Sequence, residues 1–279
     1  MTQPQPFATR RIALAVFASA LAVPVLAQDG TPQPLWELGA VGFGVSQQAY
    51  PGSDEQVNRA LLLPYLIYRG PLLRADRDGV GLRAYKTERL ELDVGFAGAF
   101  GSNADDIDAR RGMPDLGTLV EFGPRLKWDL GAGPANGRLR AEFALRGVYD
   151  LSDSFKYKGL SFEPRLIYER SAGGWRYGTN VGLVVGNQRL TDTLYGVATP
   201  FATPDRPAYS AQGGLIAWRV GANASREITP NIRLFGFARY DSVAGGANKS
   251  SPLVRSNGGA TVGLGLVYTW ARSRTMTSD

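Results

Sequence analysis

Residues 89–100 read Arg-Leu-Glu-Leu-Asp-Val-Gly-Phe-Ala-Gly-Ala-Phe. Leu90, Leu92, Val94, Phe96 and Phe100 fall on one parity; Arg89, Glu91, Asp93 and small residues fall on the other. Side chains alternate across a β-strand, so this stretch predicts a strand with one face for an apolar medium and one for water or charge. A helix would scatter the same residues around its axis.

The pattern recurs. In 119–130, Val120, Phe122, Leu126, Trp128 and Leu130 oppose Glu121, Arg125, Lys127 and Asp129. In 138–151, Leu139, Phe143, Leu145, Tyr149 and Leu151 oppose Arg138, Arg140, Glu142, Arg146 and Asp150. In 160–169, Leu160, Phe162, Leu166 and Tyr168 oppose Glu163, Arg165 and Glu169; in 175–185, Trp175, Tyr177, Val181, Leu183 and Val185 oppose Arg176, Asn180 and Gly182. Weaker strands are read at 35–46, 60–69, 72–77, 80–85, 213–225, 231–241 and 259–270. These predict an all-β, closed antiparallel transmembrane β-barrel of about 12 strands. The alternative is 10, if 72–77 and 80–85 do not form a hairpin about Asp78-Gly79, a two-residue turn signal.

Connection lengths sort by side. Turns at 69–71, 86–88, 131–137, 171–174 and 226–230 are short. With the N-terminus in the periplasm, these are the periplasmic turns. The connections at 47–59, 78–79, 101–118, 152–159, 186–212 and 242–258 face outward, and all but the Asp78-Gly79 turn are longer, as in outer-membrane barrels. Trp36, Tyr68, Trp128, Tyr168, Trp175 and Trp270 all fall near the expected periplasmic strand ends, where an interfacial belt of aromatics belongs.

Composition agrees. The 279 residues have a mean hydropathy of −0.16, too polar for a bundle of membrane helices, and 35 are Gly. There is no Cys and no His, which excludes a disulfide frame, a Ser-His-Asp triad and a histidine-ligated zinc site. No catalytic set is read, and no enzyme, cofactor or metal is expected. Asp105, Asp106 and Asp108 cluster in one loop without the spacing of a calcium loop.

Residues 1–27 read as a cleaved signal peptide: a start with Arg10 and Arg11, the apolar run IALAVFASALAV, and Val25 and Ala27 before the cut. Removing them lowers the formal charge from +6 to +4. The remaining charges are interleaved, with no basic patch for nucleic acid. The domain reading is signal peptide 1–27, barrel 28–270 and polar tail 271–279. The tail follows a last strand, GLGLVYTW at 263–270, and is read as disordered.

The inner-face candidates are Glu121, Arg125, Lys127, Arg138, Arg140, Glu142, Arg146, Glu163, Arg165 and Glu169. Opposite charges on neighbouring strands can pair and fill a narrow barrel, or ring a selective pore.

Five stretches resemble the MipA/OmpV family of outer-membrane proteins. They are Tyr50-Pro51-Gly52-Ser53, LLLPYLIYRG at 61–70, LRADRDG at 73–79, RGMPDLG at 111–117 and EFGP at 121–124. The most specific is Arg111-Gly112-Met113-Pro114-Asp115-Leu116-Gly117 followed by EFGP. The resemblance implies an outer-membrane barrel in contact with lipid and lipopolysaccharide. It also implies a scaffold that joins a murein lytic transglycosylase to a penicillin-binding protein, and it supplies no catalytic residue. The other expectation is a narrow pore or uptake channel for small polar solutes.

Overall fold

A computed structural model describes residues 33–69, 73–76 and 79–277. The expected signal peptide lies outside the described residues.

After a short β1 (Gln33–Pro34) come β2 (Trp36–Gln48), β3 (Gln56–Arg69), β4 (Leu73–Asp76), β5 (Gly79–Lys86), β6 (Leu90–Ala99), β7 (Leu119–Ala132) and β8 (Arg138–Asp150). They are followed by β9 (Lys156–Ala172), β10 (Trp175–Gly186), helix α1 (Gln188–Tyr195), β11 (Gly214–Thr229), β12 (Ile232–Ser242), β13 (Gly258–Arg272) and β14 (Met276–Thr277). The architecture is all-β and antiparallel with one helix. From β2 to β13 each strand pairs with its chain neighbours, and β13 pairs with β2, so the pairing order returns on itself.

The alternation read from sequence is the physical reason for these strands. Leu92, Phe96, Trp128, Phe143, Leu145, Leu166, Val181, Val220, Leu264 and Leu266 are exposed on the outer face. Their chain neighbours Asp93, Arg125, Lys127, Glu142, Arg146, Ile167 and Glu169 are buried on the inner face. Exposing such a row of large apolar side chains to water is costly, at about 25 cal/mol per Å². The outer face therefore suits a hydrocarbon solvent.

Several strands outrun the predicted segments: β3 begins at Gln56, β9 at Lys156, and β11 runs on to Thr229. Alternation marks only the part of a strand that sees two different media, whereas the hydrogen-bond ladder continues past it. The hairpin expected about Asp78-Gly79 is present with a shifted tip. Asp76 pairs with Gly79, so Gly79 belongs to β5 and the tip falls at 77–78, outside the described residues. Among the described residues two pairs join β3 to β4, Tyr68↔Ala75 and Arg69↔Arg74.

One expectation is corrected. Over the described residues 271–277 the polar segment after Trp270 is not free: β13 runs to Arg272, and β14 pairs with β1 through Gln33↔Thr277 and Pro34↔Met276. Ser273 N–H donates to Trp36 O at 2.9 Å and Leu35 N–H to Thr275 O at 2.9 Å. Polar composition disguised a clasp whose partner is the other end of the chain.

At one end the strands are joined by short connections of two to five residues (70–72, 87–89, 133–137, 173–174 and 230–231). At the opposite end lie 49–55, 100–118, 151–155, 187–213 and 243–257, with α1 among them.

Candidate functional site

Strand register decides which inner charges meet. Asp93 lies opposite Arg125 and Glu91 opposite Lys127 across β6 and β7. Lys127 lies opposite Glu142 across β7 and β8, and Glu142 opposite Arg165 across β8 and β9. Arg219 lies opposite Asp241 across β11 and β12. Directly opposed side chains are the closest pairs in a sheet, so opposite signs there attract and hold register.

The contacts follow. Arg125 holds Asp93 with Nε to Oδ1 at 2.9 Å and Nη2 to Oδ2 at 2.6 Å. Lys127 Nζ reaches Glu91 Oε1 and Asp93 Oδ2, each at 3.0 Å. Glu142 is held by Arg165 Nη2 at 2.5 Å and by Arg140 Nε at 3.1 Å, and Arg140 also reaches Glu169 at 3.4 Å. Further round, Arg146 Nη1 meets Glu163 at 2.9 Å and Glu121 at 3.6 Å, while Ser161 Oγ donates to Glu121 at 2.9 Å. Arg219 bridges Glu163 at 3.3 Å and Asp241 at 2.6 Å, and Arg239 Nε lies 3.0 Å from Asp241.

At least nine of the ten residues expected on the inner face thus enter one belt. Arg138 has the same parity but is exposed, because it opens β8 at the short-turn rim. The candidate set missed Glu91, Asp93, Arg219, Arg239 and Asp241. All five share the inner parity of their strands, and that parity is the signal that could have found them. The belt contains seven bases (Arg125, Lys127, Arg140, Arg146, Arg165, Arg219, Arg239) and seven acids (Glu91, Asp93, Glu121, Glu142, Glu163, Glu169, Asp241). Among these fourteen described residues the two signs balance.

Opposite the belt the inner wall is apolar. Phe43, Val45, Phe235 and Val267 are buried there, with Leu61, Leu63, Tyr65 and Phe237 packed against them. Glycines make room for the rings: a Cβ on Gly265 would lie 2.3 Å from the Phe235 ring.

The long-connection end carries a second core. Tyr50, Ile107, Leu190, Tyr195, Val197, Ile216, Val243 and Leu253 are buried together, drawn from four connections and the ends of the strands beneath. Tyr50 Oη donates to Leu253 O at 2.7 Å, Tyr195 Oη to Pro51 O at 3.0 Å, and Ser251 Oγ to Tyr195 O at 2.8 Å. Asn187 caps α1 by accepting from Leu190 N–H at 3.1 Å. Arg206 ties loops together, donating to Phe201 O, Ala109 O and Arg111 O at 2.8, 3.1 and 3.0 Å. Together these segments form a cap over one end of the strands.

Two of the five family-like stretches, 50–53 and 111–117, sit in that cap. Asp115 Oδ1 accepts from Ala104 N–H at 2.6 Å, Pro114 O accepts from Arg110 Nη2 at 3.3 Å, and Leu116 is buried. Gly112 has φ +75°, a conformation that favours glycine. A Cβ on Gly117 would lie 2.0 Å from Asp150 Oδ1. Arg111 is exposed and pairs with Asp108 at 2.5 Å, and Met113 packs against the cap core. Gly52 of the Tyr50 turn has φ +91°. The loop carboxylates serve local bonds: Asp106 accepts from Asn103 at 2.9 Å, and Asp105 accepts from Gly112 N–H at 3.3 Å. Among the described residues no group of three or more carboxylates converges on one point.

Burial pushes the Tyr50 phenol up to about 12 from its ordinary 10, against the opposing pull of Arg110, which lies 5.8 Å from the ring centroid. Tyr195 is raised too, mainly by burial. In an opened cap the Tyr50 phenol ionises near 10; in the closed cap it stays neutral to about 12. Its contribution to cap stability is complete below pH 10 and is lost as pH rises through 12. Alkaline absorbance titration should show Tyr50 ionising late, and Tyr50→Phe should flatten the alkaline loss of thermal stability. A Tyr50 that titrates with the exposed tyrosines would contradict this cap.

Between cap and belt lies a cavity of about 340 Å³, roofed by Tyr50, Leu116 and Leu190 and walled by belt arginines and by Phe43, Ile167 and Phe237.

No curated protein sequence matches the chain significantly. Among solved structures, the NanC porin aligns at 10% identity and TM-score 0.39, covering 83% of this chain and 100% of its own. An outer membrane channel from Pseudomonas putida F1 aligns at 13% and 0.38, covering 88% and 99%. Outer membrane phospholipase A from Escherichia coli aligns at 12% and 0.37, covering 91% and 98%. The sequence profile described as MltA-interacting protein MipA matches residues 39–270, most of the chain. This chain belongs to the MipA family.

Proposed function

We propose that the protein is a non-enzymatic outer-membrane barrel of twelve strands, sealed at its outer mouth, that serves as a scaffold for murein-remodelling proteins. The supporting observation is the combination of apolar cap and ion-pair belt, which together occupy the interior. A filled interior points away from passive diffusion and toward work done at the barrel's surfaces. The long connections face outward and the short turns with the β1–β14 clasp face the periplasm. The ten inner-face candidates act as lumen charges, and the cap motif 111–117 holds the outer mouth shut. The family description names an MltA-interacting protein, so a murein lytic transglycosylase and a penicillin-binding protein are the partners to test.

A second reading, a gated uptake channel for small polar solutes, is favoured by the cavity under the cap.

Three measurements test the proposal. Unboiled protein should migrate differently from boiled protein on a gel and should sediment with outer membranes; an unshifted, soluble protein would overturn the barrel. Native protein in planar bilayers should pass no discrete current steps; steady steps would favour the channel. Affinity capture from mildly solubilised membranes should recover a transglycosylase or penicillin-binding protein, and its absence counts against the scaffold.

A further inference from the structure

The cavity has two unlike walls. Six arginines and three glutamates contribute to its lining, alongside Phe43, Ile167 and Phe237. A guanidinium has five N–H donors, and a paired carboxylate satisfies only some of them. Arg146 is 4% exposed; its Nη1 serves Glu163 and Glu121, yet its Nε is buried without a hydrogen-bond acceptor. Arg239 reaches Asp241 through Nε and Thr261 through a long 3.4 Å contact, and its side chain remains 37% exposed. The glutamates here already accept from arginines or Ser161, so the cavity is richer in donors than in acceptors.

The Nε of Arg146 is closed off from the cavity, so the donors within reach of a ligand oxygen are those of the part-exposed Arg239. A carboxylate matches the guanidinium fork. The volume, about 340 Å³, lies at the small end of the ~300–1,000 Å³ span of ligand pockets. The fourteen named belt charges balance, which disfavours a polyanion. The phenyl rings opposite suit an apolar body.

We infer that the cavity beneath the cap is a binding site for a small organic monoanion, a carboxylate with an aromatic or short aliphatic body. Its head group lies against Arg239 and its body against Phe43 and Phe237. This does not depend on whether the barrel conducts or acts as a scaffold.

The test is a calorimetric titration of the full chain in lipid nanodiscs with phenylacetate and hexanoate. Phenylacetamide, phenethylamine and acetate serve as comparisons. At least one of the two body-bearing carboxylates should bind saturably. The neutral amide, the amine and the bodiless acetate should each bind at least tenfold more weakly. Arg239→Gln should weaken carboxylate binding at least tenfold while the heat-dependent gel shift persists, because Arg219 still holds Asp241. Phe237→Leu should narrow the preference for phenylacetate over acetate at least threefold. The site is overturned if neither body-bearing carboxylate binds, if amide or amine binds equally well, or if both folded variants bind as the parent does.

Discussion

If the cap seals the barrel as proposed, replacing residues 188–211 by a short glycine-serine linker is expected to turn a silent protein into a conducting one. The excised segment contains α1 and contributes Leu190, Tyr195, Val197 and Ala211 to the cap core. It also contains Arg206, which ties this segment to loop 108–111. Tyr195 is hydrogen-bonded to Pro51 and to Ser251, so its loss frees two further connections. Leu253 is fully buried and Tyr50 nearly so against this segment, and both would be left facing water. A ring of the proposed twelve strands is wider than the eight-strand barrels that side chains just fill. The cap is thus the main outer obstruction above the cavity. Bilayer recordings should show discrete steps, with at least about tenfold more current than the parent. Heat-modifiability should be retained, since the strand pairs are untouched. A folded variant that stays silent would place the seal in the belt alone.

The second large effect is expected at Glu142. This carboxylate is 2% exposed and lies between Arg165 and Arg140. Forming a buried pair yields little net stability, because desolvation consumes most of the attraction. Removing one partner strands the other charges, at a cost of about 3–5 kcal/mol. Glu142→Leu should therefore lower unfolding stability by about that amount in urea titrations of the refolded protein in lipid vesicles. Exposed Glu88→Gln should stay within about 0.5 kcal/mol of the parent. Adding Arg165→Met to Glu142→Leu should recover part of the loss, because it removes one stranded cation. A Glu142→Leu protein as stable as the parent would mean that water already solvates the belt.

How much of this was legible in sequence depends on the physics involved. Alternation at 89–100 and 138–151 exposes the strands because each residue reports the medium on its own side. Parity likewise placed Arg125, Glu142 and Glu163 on the inner face. It did not reveal their partners: register is set by ladders between strands, and Asp93 meets Arg125 across 32 positions of chain. The cap was least legible. Tyr50 and Leu253 are 203 positions apart, and no periodicity links them. A usable hint was composition: Leu190, Leu194, Tyr195, Val197 and Leu253 are too apolar for loops that only meet water. The tail failed for the opposite reason, because a polar strand that bonds through its backbone leaves no apolar trace.

The β1–β14 clasp bears on assembly. The seam between β2 and β13 joins the first and last long strands and spans more than two hundred residues of chain. Bringing such distant ends together costs about 5 kcal/mol in chain entropy by the logarithmic loop law. Once that seam has zipped, Gln33 and Thr277 are already neighbours, and the clasp forms with almost no further entropic cost. It acts as a latch: it contributes little while the ring is open, yet raises the threshold for the two terminal strands to peel apart once it is shut.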